Sequence, residues 1–99
     1  MSDHPRRHLI AYDIADDRRR VKIANFLSAH GDRVQYSVFV VDCRPAKLIR
    51  IRARLANLIK TGEDSILLCD LGPPELTASD TMQYLGNRRT ITSDTMTIV

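Results

Sequence analysis

Apolar positions along the chain fall into short runs separated by polar or glycine-bearing breaks, and their spacing sets the type of each element. Residues 8–14 (HLIAYDI) are a brief apolar run without helix-length continuation, which predicts a buried strand. Asp16 or Asp17 then supplies an N-cap, and residues 18–30 carry Val21, Ile23, Ala24, Phe26 and Leu27 at helical spacing. Gly31 is the expected stop of that helix. Residues 33–43 (RVQYSVFVVDC) are rich in valine and aromatics and lack a helical period, so they are β structure. Their length leaves two readings open: one long strand, or two short ones broken near Gln35 and Tyr36. Pro45 suits the first turn of a second helix, which runs to about Lys60 and stops at Gly62. Leu48, Ile51, Leu55, Leu58 and Ile59 form its buried stripe. After a turn at Gly62, Glu63 and Asp64, residues 65–71 (SILLCDL) predict another buried strand, ended by Gly72, Pro73 and Pro74.

This order predicts an α/β (α+β) fold of ferredoxin-like βαββαβ type if the β stretch divides in two. The core is expected over residues 1–74. Residues 75–99 form a tail whose strand-like pieces, 88–92 and 95–99, lack a core pattern of their own. The apolar ending at 96–99 suggests an extra C-terminal strand docked on the core or on a partner protomer. Helices should cover one face of an antiparallel sheet. The simplest cover for the other face is a second copy, giving a sheet-to-sheet homodimer.

Composition adds limits. At 99 residues the chain reads as one domain, and its 43% hydrophobic and 27% charged content is that of a globular protein. No apolar run is long enough to span a bilayer and the first residues are polar, so no membrane association and a cytoplasmic location are expected. Cys43 and Cys69 lack metal-site spacing and sit in apolar stretches, where a thiol acts as a small hydrophobe. His4, His8 and His30 are scattered and read as surface residues. The net charge of +3 says little, but arginine supplies most of the 15 basic residues. Its planar fork suits phosphate oxygens, which favours a nucleic-acid partner.

Three segments together resemble the CRISPR-associated protein 2 family. They are Leu9-Ile10-Ala11-Tyr12-Asp13-Ile14-Ala15-Asp16-Asp17 with arginines following, Gly31-Asp32-Arg33-Val34-Gln35-Tyr36-Ser37-Val38-Phe39, and Asp64-Ser65-Ile66-Leu67-Leu68-Cys69 after the second helix. The tail sequence Leu85-Gly86-Asn87-Arg88-Arg89-Thr90 is similar to the family's C-terminal strand region. The resemblance implies a ferredoxin-like homodimer that works in CRISPR spacer acquisition. Such dimers bridge copies of the integrase subunit, CRISPR-associated protein 1, and hold duplex DNA. It also implies a metal-dependent endonuclease acting on RNA or double-stranded DNA. A toxin-like ribonuclease of the VapD type, a binding scaffold without catalysis and a ligand-sensing domain are the competing readings.

Asp13 ends the first strand, where a carboxylate can emerge from a rigid element into a cleft. By position alone it caps a turn or pairs with an arginine. In the family the matching aspartate is the proposed metal ligand and catalytic residue. Two copies facing each other across a dimer would hold one Mg2+ or Mn2+ between them. Tyr12 points to the opposite side of the strand and reads as core with a bonded hydroxyl. Ser37 and Phe39 share a strand face two residues apart. Ser37 is read as a phosphate contact or a hydroxyl satisfied in the sheet, Phe39 as packing at the dimer interface, and both, by family position, as supports to the metal cleft, a role to which Tyr12 is also assigned.

Arg18, Arg19 and Arg20 open the first helix, where positive charge opposes the dipole. They read as phosphate ligands or as partners of Asp16 and Asp17. The resemblance favours nucleic-acid contact for Arg18 and Arg20. Arg33 faces the cleft or pairs with Asp32 or another acid, and Arg88 and Arg89 are expected to bind nucleic acid from the tail. Between Cys43 and Gly62 there is no acid, while Lys47, Arg50 and Arg54 recur on one helix face. That face calls for an anionic partner, or for acids such as Glu63 or Asp64. No aromatics interleave with these bases, which disfavours base stacking on single strands.

Overall fold

Strand β1 (Arg6–Asp13) is the centre of the sheet, and its alternation explains why. His8, Ile10 and Tyr12 turn to one side and are buried, while Leu9, Ala11 and Asp13 turn to the other. The computed structural model describes residues 3–87. Within them β1 is followed by α1 (Asp17–Ser28), β2 (Asp32–Gln35), β3 (Val38–Cys43), α2 (Pro45–Leu58) and β4 (Ser65–Gly72), then a 3-10 turn at Pro74–Leu76. The β stretch is therefore two strands, broken by a turn at Tyr36 and Ser37. All pairings are antiparallel and the strand order is β2-β3-β1-β4, the ferredoxin-like βαββαβ arrangement. The expected C-terminal strand, at 88–92 and 95–99, lies outside the described residues.

Asp16 caps α1, its carboxylate accepting the Arg19 amide at 3.0 Å. The helix ends at Ser28, before the expected stop at Gly31. Gly31 serves a close approach instead. A Cβ there would stand 2.3 Å from the Val40 carbonyl oxygen, so only glycine lets the chain pass β3 this closely. Helix α2 starts at Pro45 without a side-chain cap and ends at Leu58. It stops short of Lys60 because the Lys60 amide donates instead to the Asp64 carboxylate, at 2.8 Å.

Both helices pack on the same sheet face. Ile23, Ala24 and Leu27 of α1 and Ile51 and Leu55 of α2 meet Ile10, Tyr12, Phe39 and Val41. Each large apolar side chain fully buried here contributes about 1.5–3 kcal/mol. Two expectations fail in this core. Phe39 is fully buried against the helices of its own chain rather than placed at an interface, because it pairs with Ile10 and shares that residue's face. His8 is buried rather than on the surface, since it alternates in step with Ile10 and Tyr12.

Among the described residues the opposite sheet face carries no helix. By register it presents Leu9 and Ala11 beside Val38 and Val40 on β3 and Leu67 and Cys69 on β4. Leu67 is 58% exposed. Part of this apolar face is crossed by the segment 81–87, whose Met82, Tyr84 and Leu85 enclose a cleft of about 330 Å³ with Leu9, Val34 and Val38. No helix among the described residues is long and apolar enough to cross a membrane.

Candidate functional site

Asp13 stands at the end of the central strand on the helix-free face, opposite Ser65 of β4, and is exposed. The strand aspartates differ sharply in what holds them. Arg7 clasps Asp42 with two bonds of 2.8 Å and Arg6 clasps Asp70 with bonds of 2.9 and 3.1 Å. The Arg7 hydrogen bond holds the Asp42 carboxyl below the usual carboxylate range. Asp32 lies within the field of Arg7. Asp13 has no hydrogen bond or ion pair among the described residues.

Beside it lies the turn between β2 and β3. The Tyr12 amide donates to the Ser37 carbonyl at 3.0 Å, tying the end of β1 to that turn. The Tyr36 carbonyl receives three donors: the Tyr12 hydroxyl at 3.0 Å, Arg33 Nε at 3.0 Å and Arg33 Nη2 at 2.7 Å. A carbonyl has two lone pairs, so this acceptor is saturated. Tyr12 thus packs in the core with its hydroxyl satisfied, and its ring lies 6.3 Å from Phe39. Among the described residues Arg33 pairs with neither Asp32 nor another acid. Its guanidinium is fixed on the carbonyl, 5.5 Å from the ring centroids of both Tyr36 and Phe39. Ser37 belongs to the turn, not to the strand that carries Phe39.

The three arginines that open α1 have separate surroundings. Arg18 is exposed and makes no ion pair among the described residues. Arg20 donates to the Ile14 carbonyl at 3.0 Å and pairs with Asp17. Arg19 closes a clasp on the α2–β4 loop, bonding Asp64 at 2.7 and 3.2 Å and Glu63 at 3.1 Å. Asp64 has a side chain with no exposed surface and also accepts the Ala15 and Lys60 amides. The Arg19 hydrogen bond, with those amides, brings its carboxyl down to about 2. The acids expected to serve the bases of α2 are thus taken by Arg19; only Lys60 shares Glu63, at 3.0 Å. Arg19 and Asp64 are 45 positions apart, and nothing local in the sequence marks them as a pair.

The fold therefore gathers part of the expected set. Arg20, Arg33, Ser37 and Tyr36 line a cleft of about 400 Å³ between α1 and the β2–β3 turn. Asp13 is joined to it through the Tyr12–Ser37 backbone bond but does not line it. Arg88 and Arg89 lie outside the described residues. Among the described residues no three His, Cys, Asp or Glu side chains cluster as metal ligands. A carboxylate without a partner among the described residues is a suitable donor for a hard cation, and at this end of the sheet Asp13 is a single such donor, fewer than a divalent ion takes from a site within one chain.

Comparison with known proteins points one way. Residues 6–77 match the family model described as CRISPR associated protein Cas2. The chain is 42% identical over 73 residues to the CRISPR-associated endoribonuclease Cas2 3 of Synechocystis sp., covering 74% of this chain and 79% of that one. Among solved structures, Streptococcus pyogenes Cas2 at pH 6.5 superposes with a TM-score of 0.71 at 29% identity, over 81% of this chain and 99% of that one. A chain of a partial Cas6-RT-Cas1–Cas2 complex aligns with a TM-score of 0.60 at 30% identity, over 67% of this chain and 78% of the other.

Proposed function

This chain belongs to the CRISPR-associated protein Cas2 family, and from that premise we propose that it serves CRISPR adaptation as a nucleic-acid-binding homodimer with metal-dependent endonuclease activity. The observation that carries this reading is Asp13, an exposed carboxylate without a partner among the described residues, at the rim of an apolar sheet face. Two copies joined through that face bury Leu67, Val38 and Val40 and bring two Asp13 carboxylates to one place. Paired Asp13 carboxylates would hold one Mg2+ or Mn2+, which would supply an activated water and offset charge on a phosphodiester of RNA or double-stranded DNA.

Arg18, exposed and without an ion pair among the described residues, binds phosphate together with Arg88 and Arg89, while Arg20 and Arg33 line the neighbouring cleft, held by Asp17 and the Tyr36 carbonyl. A Cas1–Cas2 assembly among similar structures supports the Cas1 integrase as a partner. The activity belongs to the cytoplasm.

Cleavage of labelled RNA and duplex DNA with Mg2+, with chelator, and in Asp13→Asn tests the chemistry. The expected result is a loss of at least about a hundredfold with chelator and in the variant. Equal cleavage by Asp13→Asn removes the nuclease reading.

A further inference from the structure

We propose that the helical layer is a second nucleic-acid surface, gripping the sugar–phosphate backbone of a duplex along the seam between α1 and α2. This goes beyond the Asp13 reading, since the seam lies on the sheet face opposite to Asp13.

Many of the cations are already neutralised. Arg6, Arg7, Arg19, Arg20, Arg44 and Lys60 each hold an acid, and Arg33 is fixed on the Tyr36 carbonyl. Lys22, Lys47, Arg50, Arg52 and Arg54 make no ion pair among the described residues, and all five are on the helices. The helices cannot neutralise them: α2 contains no acid, and the lone acid in α1, Asp17, is paired with Arg20. Asp16, just ahead of α1, is engaged by the Arg19 amide as the cap. The nearest loop acids, Glu63 and Asp64, are taken by Arg19 and Lys60. Among the described residues the remaining acids without an ion pair, Asp13, Asp32, Glu75 and Asp80, lie on the sheet or beyond it. Charge is therefore sorted by layer.

Placement concentrates it further. Lys47 lies close enough to His30, just past the end of α1, to help depress that imidazole's pKa, whose main cause is burial. Arg19 near the start of α1 bonds the loop after α2. The helices thus lie side by side and antiparallel. Lys47, Arg50 and Arg54 share the α2 flank that faces α1. Lys22 is three residues from Arg19 and four from Phe26, so it stands on the α1 flank that faces α2. Like charges at these spacings destabilise a helix, which an anion laid over the seam relieves.

The regular spacing favours nucleic acid over an acidic peptide. From Lys47 to Arg54 the helix advances about 10.5 Å. Over that length one strand of B-form DNA presents about three phosphates, one for each cation. The exposed outer faces of both helices carry no aromatic residue, so contact is with the backbone and indifferent to sequence.

Fluorescence anisotropy of a short labelled duplex, titrated with the full-length protein across about 50–200 mM NaCl, tests this. All titrations contain chelator, so the outcome is independent of metal chemistry at Asp13. The variant Lys47→Gln/Arg50→Gln/Arg54→Gln is expected to bind about tenfold more weakly or worse, with a salt slope shallower by about 2 to 3. Arg50→Lys/Arg54→Lys keeps the charge and is expected to keep the slope, and circular dichroism checks that both variants fold. A wild-type slope in the glutamine variant, no duplex binding by the wild type, or equal binding of polyglutamate and duplex overturns the proposal.

Discussion

Two aspartates at the same end of the sheet have opposite fates. Asp64 directly precedes Ser65, and Ser65 is the cross-strand neighbour of Asp13, so the two carboxylates are separated by one strand spacing and one residue. Asp64 is sealed, with two bonds from Arg19 and two from backbone amides. Asp13 is open to solvent and unbonded among the described residues. A carboxylate whose lone pairs are all engaged fixes loops; one left unengaged can take a ligand. The difference assigns Asp64 to architecture and leaves the Asp13 carboxylate open for the ligand role proposed for it.

The largest test of that contrast is Asp64→Asn. It leaves Arg19 with Glu63 as its remaining charged partner and loosens both the β1–α1 and α2–β4 loops, so the melting temperature is expected to fall by more than about 10 °C. Asp13→Asn is expected to leave it unchanged. A drop of similar size in both variants would erase the distinction.

The pH dependence sharpens it. Asp64 titrates at about 2 in the folded chain, below the value of about 3.9 for an unfolded aspartate. The depressed carboxyl therefore contributes stability that is complete above about pH 4 and fades as pH falls towards 2. Thermal melts across that interval are expected to lose this acid limb in Asp64→Asn and keep it in Asp13→Asn.

The smallest effect concerns the turn beside Asp13. Tyr12→Phe removes one of three donors to the Tyr36 carbonyl while Arg33 keeps the other two, so the cost is about 0.5–1.5 kcal/mol in urea unfolding. A cost several times larger would mean that the hydroxyl, not Arg33, holds the turn.

How far the sequence discloses this arrangement depends on the range of each interaction. Asp16 or Asp17 as the α1 cap, Pro45 in the first turn of α2 and, as one of two readings, a break near Gln35 and Tyr36 come from neighbouring residues, and the structure takes Asp16, Pro45 and a turn at Tyr36 and Ser37. His8 and Phe39 are harder to place, although alternation with Ile10 and Val41 carries the signal; polarity at one and a family position at the other outweigh it. Gly31 reads as a helix stop because a close approach to Val40 is invisible until β3 is folded back. The Arg19–Asp64 clasp joins loops 45 positions apart, so composition alone suggests the wrong partners for α2. Asp13 stands out in its motif, but its lack of a partner among the described residues is visible only once Arg6, Arg7, Arg19, Arg20 and Arg33 have been placed on other groups.

The proposed function turns on one ion shared by two chains through their Asp13 side chains. Titrating the protein with Mn2+, followed by the loss of the free-ion electron paramagnetic resonance signal, measures this without any cleavage assay. The expected result is one ion bound per two chains in the wild type and none in Asp13→Asn. One ion per single chain, or the same binding in the variant, would contradict it.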